Sequence, residues 1–99
     1  MKAELIFKQK ANVDGYIREI IIWRLNNPVI GCRHLFKYRL YFGRDDGVCL
    51  VRYDNERGKG DHKHFREQTC SYLFQSVKTL MIDFARDVTQ ALDEEGVTK

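Results

Sequence analysis

The sequence predicts an α+β fold, an antiparallel sheet of about five strands with one C-terminal amphipathic helix packed on one face. Alternating apolar and polar residues over residues 37–42 indicate a strand with one buried face. Asp-Gly pairs at residues 14–15 and 46–47 are typical of hairpin turns. Apolar residues three and four apart over residues 77–92 indicate one face of a helix. The 99 residues fit one domain over residues 1–99, with the sheet over about 2–74 and the helix over about 76–95.

Five segments carry the strand pattern. Residues 3–8 alternate, and the isoleucine-rich residues 16–25 end at Asn26-Asn27-Pro28, because proline lacks the N–H that a sheet needs. Residues 37–42 and 48–53 flank the second Asp-Gly turn, and residues 68–74 are the last strand. Residues 54–64 are polar and contain glycine, so they are interpreted as a loop.

The helix is marked at both ends. Ser76 is a natural N-cap and Gly96 a natural stop. The apolar stripe between them must lie on the sheet, since burial of large apolar side chains stabilises the fold. Its members are Val77, Leu80, Met81, Phe84, Val88, Ala91 and Leu92.

The second strand is apolar on both of its faces. Ile20 and Ile22 lie on one side, and Ile17, Ile21, Trp23 and Leu25 lie on the other. One helix covers only one face, and strands with two apolar faces need two covers. The second face is therefore closed by curvature of the sheet, by a homodimer or by a partner protein.

Composition excludes several classes of protein. Hydrophobic residues are 43% and charged residues 31%, which is globular rather than disordered. The longest apolar run, residues 20–23, is too short for a membrane span, so no membrane is expected as a partner. Three cysteines without a CxxC pair favour a reducing compartment, and we expect a cytoplasmic protein.

Charge is distributed unevenly along the chain. The formal net charge is +3, made up of +5 over residues 1–75 and −2 over residues 76–99. A basic body is compatible with nucleic acid as a partner but does not require it.

The segment over residues 52–64 combines histidines with cations. His62 and His64 follow Arg57 and Lys59, and Gly58 and Gly60 leave the backbone open to a ligand. RNA cleavage without a metal needs a base for the ribose 2′-hydroxyl, an acid for the leaving oxygen and cations for the phosphate. Histidine suits both proton transfers. In an extended segment, side chains two residues apart point the same way, about 6 to 7 Å apart.

These residue types give a specific hypothesis for the site. His62 and His64 share the acid and base roles, and Asp54 or Asp61 orients a histidine. Arg57 and Lys59 hold the phosphate, with Arg52 and Lys63 as further cations. Tyr53 or Tyr41 stacks on a base, because aromatic rings beside cations suit nucleic acid. No cofactor is expected.

Other chemistries remain open. Cys32, His34, His62 and His64 offer four zinc ligands if their two loops meet, although the spacing fits no standard zinc finger. Asp54, Glu56 and Asp61 suit a magnesium nuclease. A non-catalytic module that binds RNA, a ribosome or a partner protein through the same basic segment is the main alternative, and an enzyme that depends on a metal or a nucleotide is the third.

Several segments together resemble the TumE-type family of small prokaryotic toxins. They are residues 2–8, Ile22-Trp23-Arg24, residues 38–43 and residues 51–64, the last being the most specific. The similarity extends to about residues 83–88. The resemblance implies the toxin of a toxin–antitoxin pair with a helix-turn-helix antitoxin as partner, and it favours a partner protein on the second sheet face. Ribonuclease activity is an inference from the histidines and cations, with RNA as the second expected partner.

Overall fold

A computed structural model describes residues 3–96 and contains one antiparallel sheet and one helix. Each strand pairs with the next along the chain, so the spatial order is β1-β2-β3-β4-β5-β6. The elements are β1 Ala3–Val13, β2 Tyr16–Leu25, β3 Phe36–Arg44, β4 Cys49–Glu56, β5 Gly60–Phe65, β6 Gln68–Ser71 and α1 Val77–Glu94.

The α+β prediction is confirmed, with six strands in place of about five. The additional strand comes from residues 54–64, where the composition predicts a loop: β4 continues to Glu56 and β5 begins at Gly60. Positive φ angles at Gly58 and Gly60 allow a turn of only three residues between β4 and β5. Polar side chains are compatible with strand here, because backbone pairing does not require apolar residues. The predicted sheet boundary at residue 2 lies outside the described residues.

The other strands also differ from their predicted limits. β1 extends to Val13, well beyond residue 8, because its polar half pairs fully with β2. Asp14 and Gly15 both have positive φ and form the predicted turn between them. β6 ends at Ser71, so the predicted strand over residues 68–74 is shorter than expected.

Both predicted helix signals are present in α1. The Ser76 hydroxyl accepts the Thr79 backbone N–H at 3.0 Å, and Gly96 follows the helix with a φ of 79°. The predicted stripe packs on the sheet, with Leu80, Phe84 and Ala91 buried in the core.

Cross-strand pairing defines the two faces of the sheet, because directly paired residues point to the same side. The helix-covered face carries Ile20, Leu40 and Tyr53, which pair in register and are all buried. The opposite side, called the helix-free face below, carries Ile17, Ile21, Trp23 and Leu25, and these remain half-buried. The predicted division of the apolar residues of β2 between two faces is therefore confirmed.

Candidate active site

The β4–β5 hairpin presents two directly paired sets of ionisable side chains on the helix-free face. Arg52 pairs with His64, and Asp54 pairs with His62. Because side chains alternate along a strand, both histidines point to the same side. Their ring centroids are 5.5 Å apart, with the ring planes at 72°. The distance between the two imidazole rings is thus comparable to the width of a phosphate group.

His62 is held between two acceptors. Its Nδ1 donates to the Gly60 carbonyl oxygen at 3.2 Å, and its Nε2 lies 2.7 Å from Asp54 Oδ1. The Nδ1–H bond to the Gly60 carbonyl fixes the orientation of the ring, and Nε2 therefore faces the Asp54 carboxylate. The Asp54 side chain is only 9% exposed, which makes it a fixed counter-ion.

His64 has the opposite environment. Arg52 Nη2 lies 2.5 Å from Nε2, and the Thr69 hydroxyl lies 2.8 Å from Nδ1. An arginine only donates, so Nε2 must accept, and the Nδ1–H donates to Thr69. Burial, then Arg52, then His62 lower the pKa of His64. The ring is therefore held neutral with its lone pair on Nε2.

Arg52 connects His64 to Asp54, the partner of His62. Its Nε is 3.2 Å from Asp54 Oδ2, and the same guanidinium donates to His64. Within residues 3–96, three buried side-chain atoms have no aligned hydrogen-bond partner, and two of them are Arg52 Nε and Asp54 Oδ1. Buried polar atoms are normally satisfied, and here both atoms lie in close ion pairs that are not aligned hydrogen bonds.

A shallow polar pocket opens over these residues. Lys59 lies at its rim, 3.6 Å from Glu56 and largely exposed, and Arg57 is exposed in the same turn. The pocket also contains residues of β6 that the sequence did not indicate. Its lining is Arg52, Glu56, Lys59, His62, His64, Thr69, Cys70 and Ser71.

Tyr41 is next to this pocket on the helix-free face. It pairs directly with Arg52 across β3 and β4 and is half-buried. The Arg39 guanidinium lies 5.0 Å from the centre of the Tyr41 ring. The guanidinium and the ring together form a platform on β3, next to the site residues of β4.

A family model described as Toxin TumE matches residues 2–92, nearly the whole chain. The chain belongs to the TumE toxin family. This TumE-family protein is the toxin component of a toxin–antitoxin system, and an antitoxin is its partner. No curated relative and no solved structure matches it, so the family match alone supports this assignment. Its helix, over the part of the chain that the structure describes, is not long and apolar enough to cross a membrane.

Three predicted site residues of this TumE-family toxin lie on the helix-covered face instead. Tyr53 is fully buried, its hydroxyl donates to Asp87, and it is not available to stack on a base. Lys63 Nζ is 3.3 Å from the same Asp87 carboxylate. Asp61 pairs with Asn55 on that side. The physical reason is strand alternation: each of the three follows or precedes a residue of the site by one position.

Asp61 belongs to a separate cluster on the helix-covered face. His34 Nε2 and the Tyr38 hydroxyl lie 2.8 and 2.6 Å from Asp61 Oδ1. The Phe36 backbone N–H donates to His34 Nδ1, which leaves the His34 proton on Nε2. The long loop before β3 supplies His34, so no local pattern indicates this contact. The cluster anchors that loop to β5.

The metal alternatives divide along the same two faces. Cys32, His34 and Asp61 present ligand atoms within 4.8 Å of one another. Burial, then Asp61, raise the pKa of the Cys32 thiol, which favours a hydrogen-bonded cluster over a thiolate ligand. His62 and His64 lie on the opposite face, so the four predicted zinc ligands do not converge. Asp61 is likewise separated from Asp54 and Glu56, the other predicted magnesium ligands.

Proposed function

We propose that this toxin is a metal-independent endoribonuclease whose active site is the His62–His64 pair. One observation carries the proposal: a neutral His64, bonded to Arg52, lies beside a His62 that is placed against the Asp54 carboxylate. Two adjacent imidazoles, one beside a guanidinium and one beside a carboxylate, suit acid–base catalysis of phosphodiester cleavage.

The proposed reaction begins at His64. Its Nε2 takes the proton of the ribose 2′-hydroxyl, and the 2′-oxygen bonds to the adjacent phosphorus. The bond from phosphorus to the 5′-oxygen breaks, and His62 gives its proton to that oxygen. The products are a 2′,3′-cyclic phosphate and a 5′-hydroxyl, so protons and electron pairs balance without a metal.

The remaining site residues have supporting roles. Arg52 leaves His64 Nε2 to bind the phosphate, which frees the base and places a cation on the developing charge. Lys59 and Arg57 add positive charge from the turn. Asp54 is a positioning residue that stabilises the His62 imidazolium. Tyr41 stacks on a base beside the cleaved bond.

A non-catalytic binding role is the alternative, and one observation favours it. The ring nitrogens of both histidines are all in internal contacts, so neither histidine is free in the unliganded protein. In that case the same cations bind RNA, a ribosome or the antitoxin without cleaving anything. We further propose that the antitoxin is of the helix-turn-helix type.

The test is cleavage of a defined single-stranded RNA in excess chelator. The wild-type toxin should produce cyclic-phosphate termini, and His62→Ala and His64→Ala should each lose at least about a hundredfold in rate, the usual contribution of acid–base groups. His34→Gln is the matched control, because it changes a histidine on the other face and retains a donor for Asp61.

Two results would contradict the proposal. Undiminished cleavage by the His62→Ala/His64→Ala double variant would remove the histidines from the mechanism. Salt-dependent binding of RNA that is recovered intact, with larger effects from Arg52 and Lys59 than from the histidines, would support the binding alternative.

A further inference from the structure

The helix-free face continues beyond the pocket as two rows of paired side chains. The first row runs from His64 through Arg52, Tyr41 and Glu19 to Lys10 on the edge strand. Paired residues lie on the same face, so the whole row is presented on one surface. Four strand spacings separate β5 from β1, a distance of about 19 Å.

The second row is equally continuous. It runs from His62 through Asp54, Arg39 and Ile21 to Lys8. The cations at the far end of both rows are accessible, since Lys8, Lys10 and Arg39 are all exposed. Besides Asp54, the two rows contain one carboxylate, that of Glu19, which Lys10 and Arg39 approach at 3.7 and 3.4 Å.

Aromatic groups lie between these cations. The Arg39 guanidinium covers the Tyr41 ring, and Trp23 is half-buried on the same face of the neighbouring strand β2. Rings and guanidinium planes stack on bases only when the bases are unpaired. In a duplex the bases are stacked on one another, so their faces are not available to these rings.

The helix and the helix-free face differ in charge. Helix α1 has two cations against four acids, so its own surface is acidic. The helix-free face of β1 to β3 has Lys8, Lys10, Lys37 and Arg39 against Glu19. A polyanion is therefore directed to the same face as the pocket.

We infer that the helix-free face of β1 to β3 is a binding track for single-stranded RNA that leads away from the His62–His64 pocket. The strand runs across the sheet, with one base on the Arg39–Tyr41 platform and phosphates at Lys8 and Lys10. The inference rests on the proposed function only where the track meets the His62–His64 pocket. Binding along the track is measured without cleavage.

The probe is a fluorescent single-stranded RNA whose 2′-hydroxyls are all methylated, because methylation removes the nucleophile. Lengths from two to about sixteen nucleotides cover the usual range of single-strand sites. Affinity should rise well beyond the dinucleotide and then stay constant once the RNA extends from the pocket to β1. A duplex of the same sequence should bind at least about tenfold more weakly at equal salt.

A pair of double variants locates the track. Lys8→Gln/Lys10→Gln should weaken binding of the long RNA about tenfold and reduce the salt slope by roughly 0.7 for each phosphate that is no longer neutralised. Arg18→Gln/Arg24→Gln is the matched control, since both arginines are exposed on the helix-covered side of β2. The control removes the same charge and should have a clearly smaller effect.

Binding and cleavage are measured separately, and this separates the inference from the proposed function. A toxin that binds the methylated RNA along the track but cleaves no unmodified RNA would support the inference and contradict the proposed function. A plateau at the dinucleotide, or equal losses from the two double variants, would overturn the track. The apolar residues of β2 also predict a second copy of the chain on this face. A homodimer that buries Trp23 in solution and excludes the RNA would therefore overturn the track as well.

Discussion

Arg52 Nη2 donates a hydrogen bond to Nε2 of His64 at 2.5 Å, so the lone pair of the proposed base is already bonded to a permanent cation. The same arginine has its Nε 3.2 Å from Asp54 Oδ2. Arginine prefers a phosphate or carboxylate to a neutral imidazole. In the proposed mechanism, a bound phosphodiester therefore competes with His64 for the guanidinium and releases the base when substrate is present.

The first prediction concerns the titration of His64. Burial and the Arg52 cation lower its pKa, so the C2–H signal of His64 in an NMR titration should have a midpoint below 6.5, the usual value. Arg52→Met removes the cation and should move the midpoint upward. His34→Gln, on the other face, should leave it unchanged. An unshifted midpoint in Arg52→Met would show that the arginine does not hold the ring neutral.

The same shift has a consequence for stability. The folded His64 binds a proton less readily than the unfolded chain does, so its contribution is present above the unfolded pKa and is lost as pH falls through the window below 6.5. In urea unfolding across that window, His64→Gln should have a flatter dependence of unfolding free energy on pH than wild type. Equal slopes for the two proteins would contradict the assigned protonation state.

Local pattern was sufficient for much of this architecture. Ser76, Gly96 and the apolar stripe of the helix predict α1 because caps and period are properties of neighbouring residues. The Asp-Gly turns predict two hairpins for the same reason. The loop prediction over residues 54–64 is wrong because the composition there resembles a loop, although pairing with β4 makes the segment a strand. Strand alternation then decides the site, separating Asp61 and Lys63 from His62 and His64.

Contacts between distant segments could not be predicted. Asp87 is on the helix, and its polar character predicts an exposed position, yet Tyr53 and Lys63 bury it against the sheet. Asp61 and His34 are 27 residues apart, and only the path of the loop before β3 brings them together. Such pairs depend on the complete packing of the chain, which no local pattern contains.

The second prediction concerns the buried Tyr53 hydroxyl. Burial and Asp87 raise the pKa of Tyr53 well above its usual range, so the hydroxyl remains a donor to that carboxylate. Tyr53→Phe should lower the free energy of unfolding by about 2 kcal/mol, because Asp87 loses a charge-assisted hydrogen bond while it stays buried. Tyr41→Phe is the control on the helix-free face, with a change below about 0.5 kcal/mol in chemical denaturation. A Tyr53→Phe variant as stable as the wild-type toxin would show that the hydroxyl does not satisfy the buried Asp87.

The third prediction concerns Gly43, which allows Tyr41 to lie along β3. A Cβ at this position would be 2.5 Å from the Tyr41 hydroxyl oxygen and 2.6 Å from the Val48 carbonyl oxygen. Gly43→Ala should therefore destabilise the fold by about 1 to 3 kcal/mol. In a Tyr41→Leu background the loss should persist in part, because the clash with the Val48 backbone remains. Thermal unfolding of the wild type, the two single variants and the double variant measures these losses. Fully additive changes in unfolding free energy would argue against the contact with Tyr41.

The fourth prediction separates the two aspartates that the sequence offered as partners of a histidine. Asp54→Asn removes the charge beside His62 Nε2 and should reduce RNA cleavage at least about tenfold and alter the pH–rate profile, because the proposed acid loses its counter-ion. Asp61→Asn instead weakens the contacts with His34 and Tyr38. It should cost about 1 to 3 kcal/mol of unfolding free energy and leave the profile of the folded protein unchanged. Rate measurements from about pH 5 to 8, the range over which histidine changes its charge, test the profiles of both variants, and urea unfolding measures their stability. A changed profile in Asp61→Asn with a normal one in Asp54→Asn would reverse the assignment.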